Sequence, residues 1–426
     1  MPEKTWFKLD NAANIYPPTH SKNWAAMFRL SATLNEDIDI EILKTSLEHA
    51  LVRFPSFSCR LKRGFFWYYF DRISGIPPIK EDVRNPMAYL RLKDNRYFMF
   101  SVRYYRNRVS LEFFHAVTDG MGGLTFLLSI VREYIRLRYG ENIPVTDKIL
   151  SCSDSPSPEE YEDSFLKYAR KHTISRSEPT AYHPTGTPVA RHEMLITSGK
   201  VDTASLKKLA KSYGVTVGVM LAAILNYSVY QKQMTEKSAF LRKKWAKVSV
   251  PVNLRRFYPT KTLRNFSSYI NPGIDPKLGE YTFDEILVQV KSAMDMYVNE
   301  KQLNGRFSGN VSAQKLWVVR AMPLLIKSPV LKCAYLINGD RYLSSTITNL
   351  GQIDIPEEME KYLTRLDFIL GQPGVRRSDC AVISCGGNTY INFSRTFAEA
   401  DIERRFFTFL VRNGVKVFIE SNGRCL

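Results

Sequence analysis

The chain has few histidines and few cysteines, six of each in 426 residues. The cysteines are Cys59, Cys152, Cys333, Cys380, Cys385 and Cys425; none form a C-x-x-C pair, and no His/Cys cluster has zinc-finger spacing. A thiolate metal site is therefore not expected, and no metal is assigned. The N-terminus lacks a basic stretch followed by an apolar run, so no secretory signal is read, and the cysteines are expected to be reduced thiols in a cytoplasmic protein. Long apolar runs are also missing. The most apolar later stretch, Leu316 to Ile337, is broken by Arg320, Pro323, Lys327, Pro329 and Lys332. A spanning helix needs about 20 mostly apolar residues, so a transmembrane segment is not expected. There is no G-x-S-x-G elbow, which weakens a serine-hydrolase reading. No zinc finger, RNA-binding aromatic signature or basic recognition helix is found, so nucleic acid is the weakest candidate partner. No short-period repeat is found either.

Acidic residues are scarce relative to basic ones, 42 against 60, for a net charge of +18. Such a balance suits an acidic partner: a phosphorylated cofactor, an acidic carrier protein or a membrane surface. A well-solvated basic surface explains it equally. Hydrophobic residues make up 44% of the chain, enough for ordinary cores. The length suggests two or three domains, or two large halves of one enzyme.

Apolar residues at helical spacing from Ile38 to Phe54 predict a helix that Pro55 stops. Phe65 to Phe70 reads as a strand. A hairpin follows, with arms Tyr97 to Tyr104 and Arg108 to Phe114. In the second arm Val109, Leu111 and Phe113 share a face opposite Ser110 and Glu112, and continued alternation puts His115 on the apolar face. After Gly120, Leu124, Leu127, Leu128, Val131 and Ile135 take helical spacing. Residues Ser151 to Pro188 read as a crossover with a short helix near Tyr161 to Lys171. Helices are expected around Leu206 to Tyr213 and Thr216 to Tyr230, with an exposed lysine-rich connection from Lys232 to Lys247 and a strand from Lys247 to Val252. Capping boxes at Thr282/Glu285 and Thr396/Glu399 open two more helices, and Val415 to Glu420 closes the chain as a strand. Alternating strands and helices argue for a mixed α/β fold, divided as an N-terminal lobe (1–165) and a C-terminal lobe (166–426).

The strand–turn–helix junction carries His115-Ala116-Val117-Thr118-Asp119-Gly120. With this composition H-x-x-x-D-G is expected by chance roughly 0.01–0.02 times, which makes the match worth pursuing. An imidazole, with an ordinary pKa near ~6.5, can take a proton from an acceptor and return it to a leaving thiolate, so a single His serves thioester acyl transfer without a nucleophilic Ser or Cys. A buried His satisfied by a backbone neighbour is the plainer alternative. Asp119 either orients His115 as a dyad or pairs with an Arg and pins the turn. Gly120 fits a turn whose backbone conformation is barred to other residues.

These residues resemble the condensation-domain and chloramphenicol-acetyltransferase-like superfamily of CoA-dependent acyltransferases, and in particular alcohol acetyltransferase-like proteins. The superfamily pattern is H-H-x-x-x-D-G; Phe114 stands here in place of the first His. Ser249-Val-Pro-Val-Asn-Leu-Arg255-Arg256, with Leu263-Arg264-Asn265-Phe266, resembles the segment whose Arg pairs with the motif aspartate. The resemblance thus implies Arg255, with Arg256 second, as partner of a structural Asp119. Thr348-Asn349-Leu350-Gly351 resembles a segment near the family tunnel, implying substrate or oxyanion contacts for Thr348 or Asn349; a strand-ending turn is the alternative. The plant D-F-G-W-G box is not evident, and Gly371-Gln372-Pro373-Gly374 is a positional counterpart with no role assigned. The resemblance implies two similar α/β lobes around a central tunnel, with His115 as catalytic base. It implies acyl-CoA as co-substrate, no tightly bound cofactor, and an alcohol or amine acceptor. Alternatives are an acyl donor on an acidic carrier protein acting in trans, and a non-catalytic docking homologue. The 25 Phe and 23 Tyr fit either an acyl tunnel or an ordinary core.

Overall fold

The computed structural model describes residues 6–19, 26–87, 91–174, 178–190, 193–338, 340–371 and 378–423. Cys425 and residues 372–374 lie outside the described residues. Among the described residues the strands form three sheets. The five-stranded sheet has the order Leu363–Leu370, Met27–Leu34, Arg108–Phe114, Phe100–Tyr105, Ile79–Glu81. Helices Ile40–Arg53 and Gly120–Tyr139 pack against each other, and the second of them packs against the Met27–Leu34 strand. The larger sheet is built from Ser267–Ile270, Ala246–Asn253, Ser345–Gln352, Ser378–Cys385, Asn388–Arg395, Leu195–Asp202 and Val417–Ser421, with Gly273–Ile274 also paired to Ala246–Asn253. Its central pairings, Ala246–Asn253 with Ser345–Gln352 and the latter with Ser378–Cys385, are parallel. Helix Val217–Met234 is almost wholly buried against it, beside Phe283–Tyr297 and Asp401–Arg412. A small hairpin sheet joins Trp6–Lys8, Tyr68–Arg72 and Cys59–Arg63.

The sheets interlock across the boundary drawn at residue 165. Leu363–Leu370, from the C-terminal part of the chain, pairs antiparallel with Met27–Leu34 through seven registered partners. It also packs over Ser378–Cys385 and Asn388–Arg395 of the larger sheet. Each face of the larger sheet has its own core: Cys380, Val382, Ile391 and Phe393 point toward the Val217–Met234 helix, while Ala381, Ile383 and Tyr390 join the core of the first sheet.

Many aromatics are core. Phe57 stacks on Phe126 at 4.1 Å, and Phe100 and Phe113 close around them. Ser110 and Glu112, opposite that face, are buried as well. Arg29 compensates them, bonding Ser110 Oγ, Glu112 at 3.1 Å and Asp82. Unpaired, such groups would be costly.

Several local readings need correction. Strand Arg108–Phe114 stops one residue short of His115, which begins the turn; its N–H still donates to Ala26 O at 2.7 Å. The Thr282/Glu285 capping box is present, but Thr396/Glu399 is not one. Glu399 accepts from the Thr187 N–H and hydroxyl, and helix Asp401–Arg412 starts from Ala400 without a side-chain cap. The lysine-rich connection is not exposed throughout: the helix runs on to Met234, and Lys247 is buried and paired with Glu178. Gly120 is the first residue of a helix and its φ is not positive. Its requirement is space: a Cβ there would stand 3.0 Å from Leu350 Cδ2 and 3.2 Å from Phe368 Cζ.

Candidate active site at His115

The hairpin ends where His115 meets a second stretch of chain, and two side chains four residues apart take opposite surroundings. Asp119 is buried and caps helix Gly120–Tyr139, its Oδ1 accepting from Gly122 N–H at 3.0 Å. Its Oδ2 accepts from Arg255 Nη1 at 2.7 Å and from Phe266 N–H at 2.9 Å. Arg255 is itself tied to Thr262 O, Asn253 Oδ1 and Arg264 O. Arg256 is exposed. The carboxylate's charge is thus met by one guanidinium, two amides and a helix N-terminus.

His115 is held by Asn265 instead. Nδ1 lies 2.9 Å from Asn265 Oδ1, and Asn265 Nδ2 donates to His115 O at 3.0 Å and to Asp10 Oδ2 at 3.1 Å. Two acceptors facing Nδ2 fix the amide orientation, because the flipped amide would set an oxygen against them. Oδ1 must then accept from a protonated Nδ1, which leaves the Nε2 lone pair available. Among the described residues Nε2 has no hydrogen-bond partner. The ring lies between Tyr16, stacked at 4.8 Å, and the edge of Phe28 at 5.2 Å. Burial, with the Asp10 and Asp119 charges behind it, holds the Tyr16 hydroxyl well above the usual phenol range, so that ring stays neutral.

The anchor of this relay is acidic. Asp10 is fully buried, accepts from Ala13 N–H at 2.7 Å, and has Arg264 Nε at 3.6 Å. Burial pushes its carboxyl above the ordinary range against the pull of Arg264. Asp163 is pushed up to about 6, by burial first and by the nearby Asp10 charge second.

Backbone contact between the two halves is close. Thr118 Oγ1 donates to Leu263 O at 2.5 Å. A Cβ at Gly122 would stand 2.0 Å from that carbonyl oxygen and 2.3 Å from Thr118 Oγ1. Gly122 therefore admits no larger residue without separating the halves.

Thr348 and Asn349 part company. Asn349 is exposed and its Oδ1 accepts from Gly351 N–H at 2.7 Å, at a bulge where Gly351 has φ +78°. Thr348 is half-buried on the strand face it shares with Leu350, the residue that abuts Gly120. The structure thus gathers His115, Asp119, Gly120 and Arg255 around one junction, aligns Thr348 with the face that touches it, and turns Asn349 away. A surface hollow of about 430 Å³ lined by Lys207, Lys211, Val217 and Lys291 contains none of these residues. Asn265, Asp10, Tyr16, Phe28 and Gly122 were not singled out from sequence. Asn265 stands in the segment that supplied Arg255; Asp10 and Tyr16 precede every periodic element and carry no local signal.

No family model matches the chain. The uncharacterized proteins MT2362 and Rv2305 of Mycobacterium tuberculosis are 24% identical over 360 residues, spanning 77% of this chain and 79% of theirs. Solved structures match over nearly the full length. The first condensation domain of the CDA synthetase has 13% identity and a TM-score of 0.63, covering 96% of each chain. Fusarium sporotrichioides TRI101, complexed with coenzyme A and T-2, has 8% identity and a TM-score of 0.61, covering 98% of this chain and 100% of that one. Polyketide synthase associated protein 5 of M. tuberculosis has 13% identity and a TM-score of 0.60, covering 95% and 96%. The chain therefore has the mixed α/β fold shared by condensation domains and chloramphenicol-acetyltransferase-like proteins.

Proposed function

We propose that the chain is an acyltransferase that moves an acyl group from a thioester to a hydroxyl or amine, with His115 Nε2 as base. The observation that carries the reading is the Asp10–Asn265–His115 relay, which presents an imidazole lone pair between two aromatic rings. Nε2 takes the acceptor's proton as its oxygen or nitrogen bonds to the thioester carbonyl carbon. The tetrahedral intermediate collapses, the C–S bond breaks, and the imidazolium returns the proton to the thiolate. Asp119 and Arg255 hold the turn and stay outside the proton path, and Thr348, on the strand face turned toward the junction while Asn349 is exposed, is the candidate for the developing oxyanion. Acyl-CoA is the proposed donor, entering a tunnel between the lobes, and an acyl group on a carrier protein is the variant of the same chemistry. The fold is shared with a protein solved with coenzyme A and with condensation domains, which supports both donors.

The test is a screen of acyl-CoA and acyl-carrier donors against alcohols and amines, read by mass spectrometry with His115→Ala as control. Transfer by the wild type that the variant loses supports the reading. Equal transfer by both contradicts it.

A further inference from the structure

The apolar stretch that is too interrupted to cross a membrane has a surface placement of its own. It folds as helices Trp317–Ala321 and Leu324–Asn338, the second containing Pro329. Among the described residues no single helix is long and apolar enough to span a bilayer. These helices nevertheless leave large apolar side chains in solvent: Trp317 is 77% exposed and Leu325 73%, with Ile326 and Val330 also exposed. Beside them is the tip of the Cys59–Arg63/Tyr68–Arg72 hairpin, where Phe65 is 71% exposed and Phe66 packs edge-on against it.

The two elements are locked into one surface. Leu324 N–H donates to Phe65 O at 2.8 Å. Lys327 is buried beneath them, with Nζ donating to Phe66 O at 2.8 Å and lying 3.4 Å from the Trp67 ring centroid. Apolar side chains gathered onto one joined surface differ from singly scattered exposure.

Charge selects the occupant. Residues 301–339 contain six Lys or Arg and no Asp or Glu. Arg320, Lys315 and Lys332 are exposed around the apolar residues, and Arg63 is exposed at the hairpin. The nearest hairpin carboxylate, Asp71, is already paired with Arg60 and Lys62. Exposed Trp and Phe ringed by Lys and Arg match the interfacial zone of a bilayer, where rings enter the headgroup boundary and cations meet anionic lipid.

We propose that the Phe65–Phe66 tip and the Trp317–Val330 surface together dock the protein on an anionic membrane surface. Docking does not depend on the acyl-transfer reading, but it bears on it. Helix Leu324–Asn338, which carries part of the docked face, packs elsewhere against Tyr16–Thr19, and Tyr16 stacks on His115, so one helix borders both the docking surface and the candidate site.

The test is flotation of the full chain with phosphatidylcholine vesicles, with and without phosphatidylglycerol. The wild type is expected to float with the anionic vesicles, less so at high salt. The double variant Phe65→Ser/Trp317→Ser should partition at least about tenfold more weakly with its melting temperature unchanged. If that variant misfolds, Leu325→Ser and Arg320→Gln/Lys332→Gln are read in its place, the first lowering all binding and the second the preference for phosphatidylglycerol. Absence of flotation overturns the proposal, as does equal binding to both vesicle types or undiminished binding by the folded variants. Transfer activity is measured separately and leaves this result unchanged.

Discussion

The two stretches of chain that meet at the site contribute unlike things. The turn from His115 to Gly122 supplies the candidate reactive group and a helix start. The stretch from Asn253 to Phe266 supplies hydrogen bonds: Asn265 to the imidazole, Arg255 and Phe266 N–H to Asp119, and Leu263 O to Thr118. The first is a short motif in one segment. The second has no reactive group, yet it fixes the tautomer and the position of the first. The imidazole's competence is thus a joint property of segments about 150 residues apart, and a variant in either should show which share it carries.

His115→Ala should have the largest effect, lowering turnover by about 10²–10⁴ with the fold intact, as loss of a general base does. A thermal melt alongside steady-state kinetics checks both halves of that statement. Arg255→Ala comes next and acts on stability. Leaving Asp119 buried without its guanidinium should cost about 3 kcal/mol, at the low end for a broken buried pair because Arg255 keeps some solvent contact. A urea midpoint matching the wild type would break the assigned division of labour.

Asn265→Ala should lower kcat by about ten- to a hundredfold with KM little changed, and should move the pH–rate profile, because the ring loses the partner that fixes its tautomer. A merely structural Asn265 would leave the pH profile where it is. The effect spread over the widest pH range concerns Asp163, whose carboxyl is raised to about 6. A carboxyl with a folded-state pKa above its unfolded one favours the native state fully below about pH 4, and that contribution is lost as pH rises through about 6. Wild-type stability should therefore fall by about 2–3 kcal/mol from this group over that window. Asp163→Asn should flatten the slope in urea titrations at successive pH values.

The sequence showed the first sheet's hairpin, the helices around it and the Thr282/Glu285 cap, because each is written in local periodicity or a local box. Of the larger sheet's inner strands, Ala246–Asn253 was read, but Ser378–Cys385 and Asn388–Arg395 were not. Ser378–Cys385 is buried on both faces and built from Ser, Asp, Cys, Ala, Val and Ile, so it has no alternation to detect. Leu363–Leu370 belongs to a sheet whose other strands lie before residue 115, a pairing no local pattern encodes. At the site, His115, Asp119 and Arg255 were legible because motif and segment are short and distinctive. Asn265 was visible but unassigned, since its part depends on where His115 Nδ1 points. The requirement at Gly120 and Gly122 comes from Leu350, Phe368 and Leu263 in distant sequence, not from φ, and so has no local signal.

The central claim is that Asn265 holds His115 with a proton on Nδ1 and a free lone pair on Nε2. Nitrogen-15 NMR of histidine-labelled protein above the imidazole pKa reads this directly, with His115→Ala to assign the signal. The expected spectrum shows a protonated Nδ1 and an unprotonated Nε2 for His115, a distinction that Asn265→Ala blurs toward tautomer exchange. A proton resident on Nε2 in the wild type would contradict the account.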